Sequence, residues 1–176
     1  GSAANDESQL PPIDEVEEAL TELATIHKEE GADLIVLEMI YRPIHLEVLI
    51  RAALSSGLPV WAGFACRRAD DGSVLSFEQN RDIPFSEITA VLDKFDLPAA
   101  GIMHTPSNLV ADALDVLRQS FNGPMTAYPD SGYFKMPDWQ FDNIIPPTDL
   151  VEFAKGWTKQ GVQVLGGCCG LSPEHI

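Results

Sequence analysis

The sequence predicts an α/β fold built on a parallel sheet. Five short runs are apolar along nearly their whole length, which suits strands buried on both faces. A segment with helical spacing of apolar residues separates each run from the next. That alternation places helices against a parallel sheet, open or closed into a barrel. With 176 residues, 45% of them hydrophobic, the chain is large enough for one domain over 1–176.

The elements follow in order. "IDEVEEALTELATIHKEEG" (13–31) spaces Val16, Ala19, Leu20, Leu23, Ala24 and Ile26 near helical period, and Gly31 stops it. "ADLIVLEMI" (32–40) is the first strand. "PIHLEVLIRAALSSG" (43–57) is a helix with Pro43 in its first turn and Gly57 at its end. "LPVWAGFAC" (58–66) is a strand, "DIPFSEITAVLDKF" (82–95) a helix and "AAGIMH" (99–104) a strand. "SNLVADALDVLRQSF" (107–121) is a helix capped by Ser107, followed by the strand "PMTAYP" (124–129). "TDLVEFAKGWTKQG" (148–161) is a helix capped by Thr148, "VQVLGGCC" (162–169) the fifth strand, and "SPEHI" the start of a helix with Ser172 as cap and Pro173 behind it. Between them, "PDSGYFKMPDWQFDNIIPP" (129–147) is a long loop of the kind that carries function.

Charge and cysteine content narrow the function classes. A formal net charge of −16 and a pI near 4.3 disfavour phosphate backbones and anionic lipid, so neither nucleic acid nor membrane is an expected partner. No apolar run approaches the roughly 18 residues of a membrane span, and the opening "GSAANDESQLPP" lacks the basic and apolar regions of a signal peptide. Three cysteines, an odd number, argue against a disulfide framework and for reduced thiols in a cytoplasmic setting.

Chemistry in such folds collects at the carboxyl ends of the strands. Those ends carry Glu38, Cys66, His104, Asp130 with Ser131, and Cys168 with Cys169. His104, Cys168 and Cys169 form a candidate zinc set whose three ligands leave a fourth position open. Successive side chains of a regular strand point to opposite faces, so Gly166, Gly167 and Gly170 are expected to bend the backbone until both sulfurs converge. The competing readings are small buried hydrophobes or a vicinal disulfide. Cys66 is read as structural, His27 and His45 as surface residues, and His175 as locally hydrogen-bonded. Glu38, at the end of an apolar strand, suits a substrate ammonium or a salt bridge to a loop.

"GGCCGLSPEHI" (166–176) resembles the carboxy-terminal zinc signature of the homocysteine S-methyltransferase family. The resemblance runs along the chain through "GADLIVLEMI" (31–40), "PVWAGFACR" (59–67), "AAGIMHTPSNLV" (99–110) and "AYPDSG" (127–132). It implies a TIM-type (β/α)8 barrel, of which this chain holds about the last five strands. The remaining strands are expected from the native protein or from another chain. It also implies Zn²⁺ bound by Cys168 and Cys169, with Glu38 contacting the amino acid's ammonium group and Asp130 and Ser131 shaping the pocket.

Two departures stand out: His104 occupies the place of the family's first zinc cysteine, and Met39 and Asp130 replace a threonine and an asparagine. The function implied is methyl transfer from S-methylmethionine, S-adenosylmethionine, betaine or a methylated folate to the thiol of homocysteine or a related acceptor, giving methionine. The loop aromatics Tyr133, Phe134 and Trp139 are expected over the donor site. The alternatives are an amino-acid-binding module impaired by His104, or a zinc hydrolase. A homo-oligomer is compatible with all three.

Overall fold

The structure, a computed structural model, describes residues 10–176, without the side chain of Phe134. The opening "GSAANDESQ" and the Phe134 side chain therefore lie outside the described residues. The elements are α1 (Ile13–Glu29), β1 (Ile35–Ile40), α2 (Pro43–Ser55), β2 (Val60–Phe64), β3 (Cys66–Arg68), β4 (Val74–Ser76), α3 (Phe85–Thr89), β5 (Ala99–Pro106), α4 (Ser107–Leu117), β6 (Met125–Asp130), β7 (Tyr133–Lys135), β8 (Asp138–Gln140), α5 (Pro147–Lys159) and β9 (Val162–Leu165).

The five predicted strands pair in parallel, in the order β1-β2-β5-β6-β9. Every strand in this sheet neighbours the next one in the chain, as a barrel wall requires. Alternation assigns the two faces. Val60, Ala62, Phe64, Ala100, Ile102, Met125 and Ala127 point towards the helices and join Leu46, Ile50, Ala113, Leu114, Leu117 and Trp157 in one core. The opposite face carries Gly63, Gly101, Thr126 and Tyr128. A methyl on Gly101 would lie 2.1 Å from the Thr126 carbonyl oxygen, so only glycine fits there, and one on Gly63 would lie 2.3 Å from the Tyr128 hydroxyl, so the tyrosine would have to shift.

Several local expectations are corrected. The helices expected to be capped by Ser107 and Thr148 are preceded by Pro106 and Pro146, which hold extended backbone, and neither has a side-chain cap. Ser107 is already helical, and the Thr148 hydroxyl turns to Asp149. The 82–95 helix is one α turn followed by 3-10 backbone over Ala90–Lys94. The 162–169 strand ends at Leu165. Ser172 does cap its turn, through a capping box with His175, although the turn is 3-10. Two antiparallel hairpins are added: β3-β4, and β7-β8 inside the long 129–147 loop.

Candidate metal centre

The rim at the strand ends is built from strained and tightly tied backbone. Met39 at the end of β1 and His104 near the end of β5 have φ of +56° and +43°. Such conformations cost a non-glycine residue roughly 1–3 kcal/mol and persist only where the surroundings impose them. At His104 the next residue supplies the clamp. Thr105 Oγ1 donates to the Met103 carbonyl (2.7 Å) and accepts from the Cys66 N–H (3.0 Å). The imidazole is 5% exposed and lies edge-on to Phe77 and Trp139, with ring centroids 5.2 and 5.3 Å away.

The cysteines sit on the turn beyond β9. Its backbone stays bonded to β6: Gly166 N–H donates to the Ala127 carbonyl (3.0 Å), Cys168 N–H to the Pro129 carbonyl (2.8 Å), and Ser131 N–H to the Cys169 carbonyl (2.8 Å). Both sulfurs converge because the chain has left the strand. Of the three glycines expected to bend it, only Gly170 is left-handed, with φ +80°. Gly167 is required for closeness instead, since a methyl there would come within 2.8 Å of Leu171 Cβ.

His104 Nδ1 lies 3.7 Å from Cys168 Sγ and 3.6 Å from Cys169 Sγ, and the sulfurs are 3.7 Å apart. A tetrahedral zinc ion with bonds of about 2.3 Å to sulfur and 2.0–2.1 Å to nitrogen separates its ligands by roughly 3.5–3.8 Å. The triangle therefore fits Zn²⁺. Among the described residues this is the one group of His, Cys, Asp or Glu close enough to hold a metal ion. A disulfide would need about 2.05 Å between the sulfurs, and all three cysteines are free.

Burial sets the protonation states. It lowers the His104 pKa, which keeps the imidazole neutral and its lone pair available. It raises Cys168 to about 11, opposed by the Cys169 backbone and helped by the Cys169 thiol and Asp130, so only a bound cation would hold this sulfur as thiolate near neutral pH. Burial also lifts Asp130 to about 6; its Oδ2 lies 3.6 Å from His104 Nδ1. Cys66 is fully buried, with its thiol pKa pushed up by burial.

The other expected residues scatter more widely. Glu38 is exposed, on the face of β1 opposite Leu37, and its charge raises the Tyr128 pKa, after the larger effect of burial. Ser131 Oγ accepts the Ile145 N–H (2.7 Å) and so ties down the loop before α5. His27 is exposed and His45 half-buried. His175 bonds Ser172 and sits 2.9 Å from the Ile145 carbonyl through Nε2. Beside the triangle opens a cavity of about 730 Å³, walled by Phe77, Tyr133, Trp139, Met39, Arg68 and Asp130. Sequence reasoning missed Phe77, although the Asp71-Gly72 turn signal flanked by "CRR" and "VLS" marked its hairpin. Met39 carried no sequence signal for its backbone. Tyr128 reads in the sequence as an ordinary strand residue, yet its buried hydroxyl has no partner among the described residues.

A five-stranded parallel sheet with a thiol–imidazole cluster at its carboxyl rim is part of a TIM-type barrel. The chain belongs to the homocysteine S-methyltransferase family, whose model matches residues 2–176. It is 26% identical over 152 residues to homocysteine S-methyltransferase 2 of Zea mays, covering 84% of this chain and 43% of that protein. It is 24% identical over 151 residues to selenocysteine methyltransferase of Astragalus bisulcatus, covering 84% and 44%. The metallated crystal form of the Escherichia coli homocysteine methyltransferase MmuM superposes with a TM-score of 0.68 at 19% identity, over 99% of this chain and 54% of that one. The last likeness speaks to fold alone. The chain thus spans less than half the length of these curated relatives. No helix among the described residues is long and apolar enough to cross a membrane.

Proposed function

We propose that the protein moves a methyl group from a small methylated donor to the thiol of homocysteine or a related acceptor, with Zn²⁺ held by His104, Cys168 and Cys169. In the homocysteine case the product is methionine. The observation that carries this reading is the near-equilateral triangle of Nδ1 and two Sγ atoms, 3.6–3.7 Å on a side. Zinc, when bound, supplies the charge that turns a thiol into a thiolate nucleophile near neutral pH.

The chain's own residues do the rest. Neutral His104 presents Nδ1 to the ion, and its strained backbone, clamped by Thr105, fixes the ring's direction. Glu38 offers a carboxylate to the ammonium group of an amino-acid acceptor. Asp130 and Ser131 border the acceptor side. Phe77, Trp139 and Tyr133 wall the adjoining cavity, where apolar rings exclude water from the donor. The same reading takes 1–176 as one domain working in the cytoplasm, a setting that three free cysteines suit.

The test is elemental analysis of the purified protein, followed by methyl-transfer assays with homocysteine and each donor class. The expected result is about one zinc per chain and transfer from at least one donor. Zinc far below one per chain would refute the reading. Full zinc without transfer to any thiol would leave the metal site and remove the proposed reaction.

A further inference from the structure

We infer that the N-terminus of α4, together with Ser107, is a subsite for the α-carboxylate of an amino-acid substrate, an inference that rests on the methyl-transfer reading above. α4 runs for 11 residues from Ser107 and has no side-chain cap; the residue ahead of it, Pro106, is extended and offers no capping oxygen. The first N–H groups of such a helix lack partners within it and form its positive end. No acidic residue in the first turn answers that charge. The second observation is Ser107 itself. It is 7% exposed, and its hydroxyl is buried without a partner among the described residues. By contrast, the buried hydroxyls of Ser56, Ser76, Thr89 and Thr105 each donate to a carbonyl. A hydroxyl hidden from water with nothing to bond costs stability until a ligand supplies the acceptor.

Both features meet in one groove. Ser107 and Asn108 line a space of about 280 Å³ that Ser131, Gly132 and Tyr133 border from the loop after β6. The Ser131 hydroxyl already holds the Ile145 N–H (2.7 Å), whereas the Ser107 hydroxyl holds nothing among the described residues. The groove shares Pro106, Asn108, Gly132 and Tyr133 with the 730 Å³ cavity beside the metal triangle. A substrate whose sulfur lies in that cavity can therefore rest its other end on α4. A carboxylate fits this end, because its two oxygens can accept from the Ser107 hydroxyl and from first-turn N–H groups together. Asp130 also borders the groove. Its charge disfavours a bare anion and suits a carboxylate that carries an ammonium group on the next carbon, as an α-amino acid does.

The test is titration calorimetry on the zinc-loaded protein with two matched pairs of ligands. Homocysteine is compared with aminopropanethiol, and S-methylmethionine with aminopropyl-dimethylsulfonium; the second member of each pair lacks only the carboxylate. Wild type should favour the carboxylate form of at least one pair by roughly tenfold or more, the scale of a hydrogen bond to a charged group. The pair that shows the preference tells whether the acceptor or the donor owns the carboxylate. Ser107→Ala should reduce that preference to within about threefold. Without ligand the variant should melt no lower than wild type, because it loses a hydroxyl that had no partner. A preference that survives in Ser107→Ala, or no preference in either pair, would overturn the inference. So would a clear fall in the variant's melting temperature, which would make Ser107 a structural residue. Wild type that binds none of the four ligands would remove the methyl-transfer reading, and the inference with it.

Discussion

The outer face of the sheet and its carboxyl rim are built by opposite rules. The outer face is apolar and closely packed: Ile102, Leu114, Leu117 and Trp157 are each 1% exposed or less. Its strands and helices follow ordinary propensities. At the rim, two non-glycine residues have positive φ, and a buried imidazole, two thiols and an acid converge. Packing of the first kind stabilises the chain by the hydrophobic effect. The rim costs stability, through strain and through desolvation of polar groups, and repays it only with a bound ion. The two regions should therefore respond oppositely to mutation and to metal.

Removing a rim sulfur gives the largest separation. Cys168→Ser or Cys169→Ser should weaken zinc binding by at least about a thousandfold, because sites of this ligand type hold roughly 10–16 kcal/mol spread over their ligands. Chelated protein should melt within a few degrees of wild type, which calorimetry can check. Leu114→Ala inverts the pattern. It should cost about 2–5 kcal/mol in denaturant unfolding, while zinc stoichiometry of the folded protein stays the same.

Proton competition gives a smaller effect. The Cys168 thiol, raised to about 11, is protonated near neutral pH, while His104, lowered by burial, adds no competing proton there. Each proton displaced by zinc costs about tenfold in affinity per pH unit, so affinity should fall at least tenfold per unit from pH 8 to 6. A flat profile in chelator titrations would mean that Cys168 is not a ligand.

The smallest effect is on metal-free protein. Asp130, held at about 6 by burial, binds its proton more tightly folded than unfolded. Its contribution to stability is full below about pH 4 and is lost as pH rises through 6. A two-unit shift is worth ~2.7 kcal/mol at most, and residual water access reduces this to about 1 kcal/mol. Asp130→Asn should therefore raise the melting temperature of chelated protein at pH 8 and leave it unchanged at pH 4. Equal shifts at both pH values would point to packing rather than charge.

What the sequence disclosed follows the same division. The five strands were legible because their apolar runs obey a single rule, burial on both faces. The convergence of Cys168, Cys169 and His104 was legible because thiols and imidazole at strand ends are rare types in such a place, and the family resemblance reinforced it. Strand ends and caps were less so: Ser107 and Thr148 look like caps, but a preceding proline had already turned the chain into the helix. The positive φ of Met39 and His104 left no trace, because methionine rarely adopts it, histidine does so too seldom to signal it, and tertiary contacts impose it. The proximity of Asp130 to Nδ1 depends on how β5 and β6 pair beyond the irregularity after Met103, which no local pattern encodes.

Zinc-edge X-ray absorption on the zinc-loaded protein tests the central claim most directly. The account predicts two sulfur scatterers at about 2.3 Å and nitrogen or oxygen at about 2.0–2.1 Å, with a third sulfur appearing when homocysteine is added. A resting shell with no sulfur, or one that His104→Ala leaves unchanged, would contradict it.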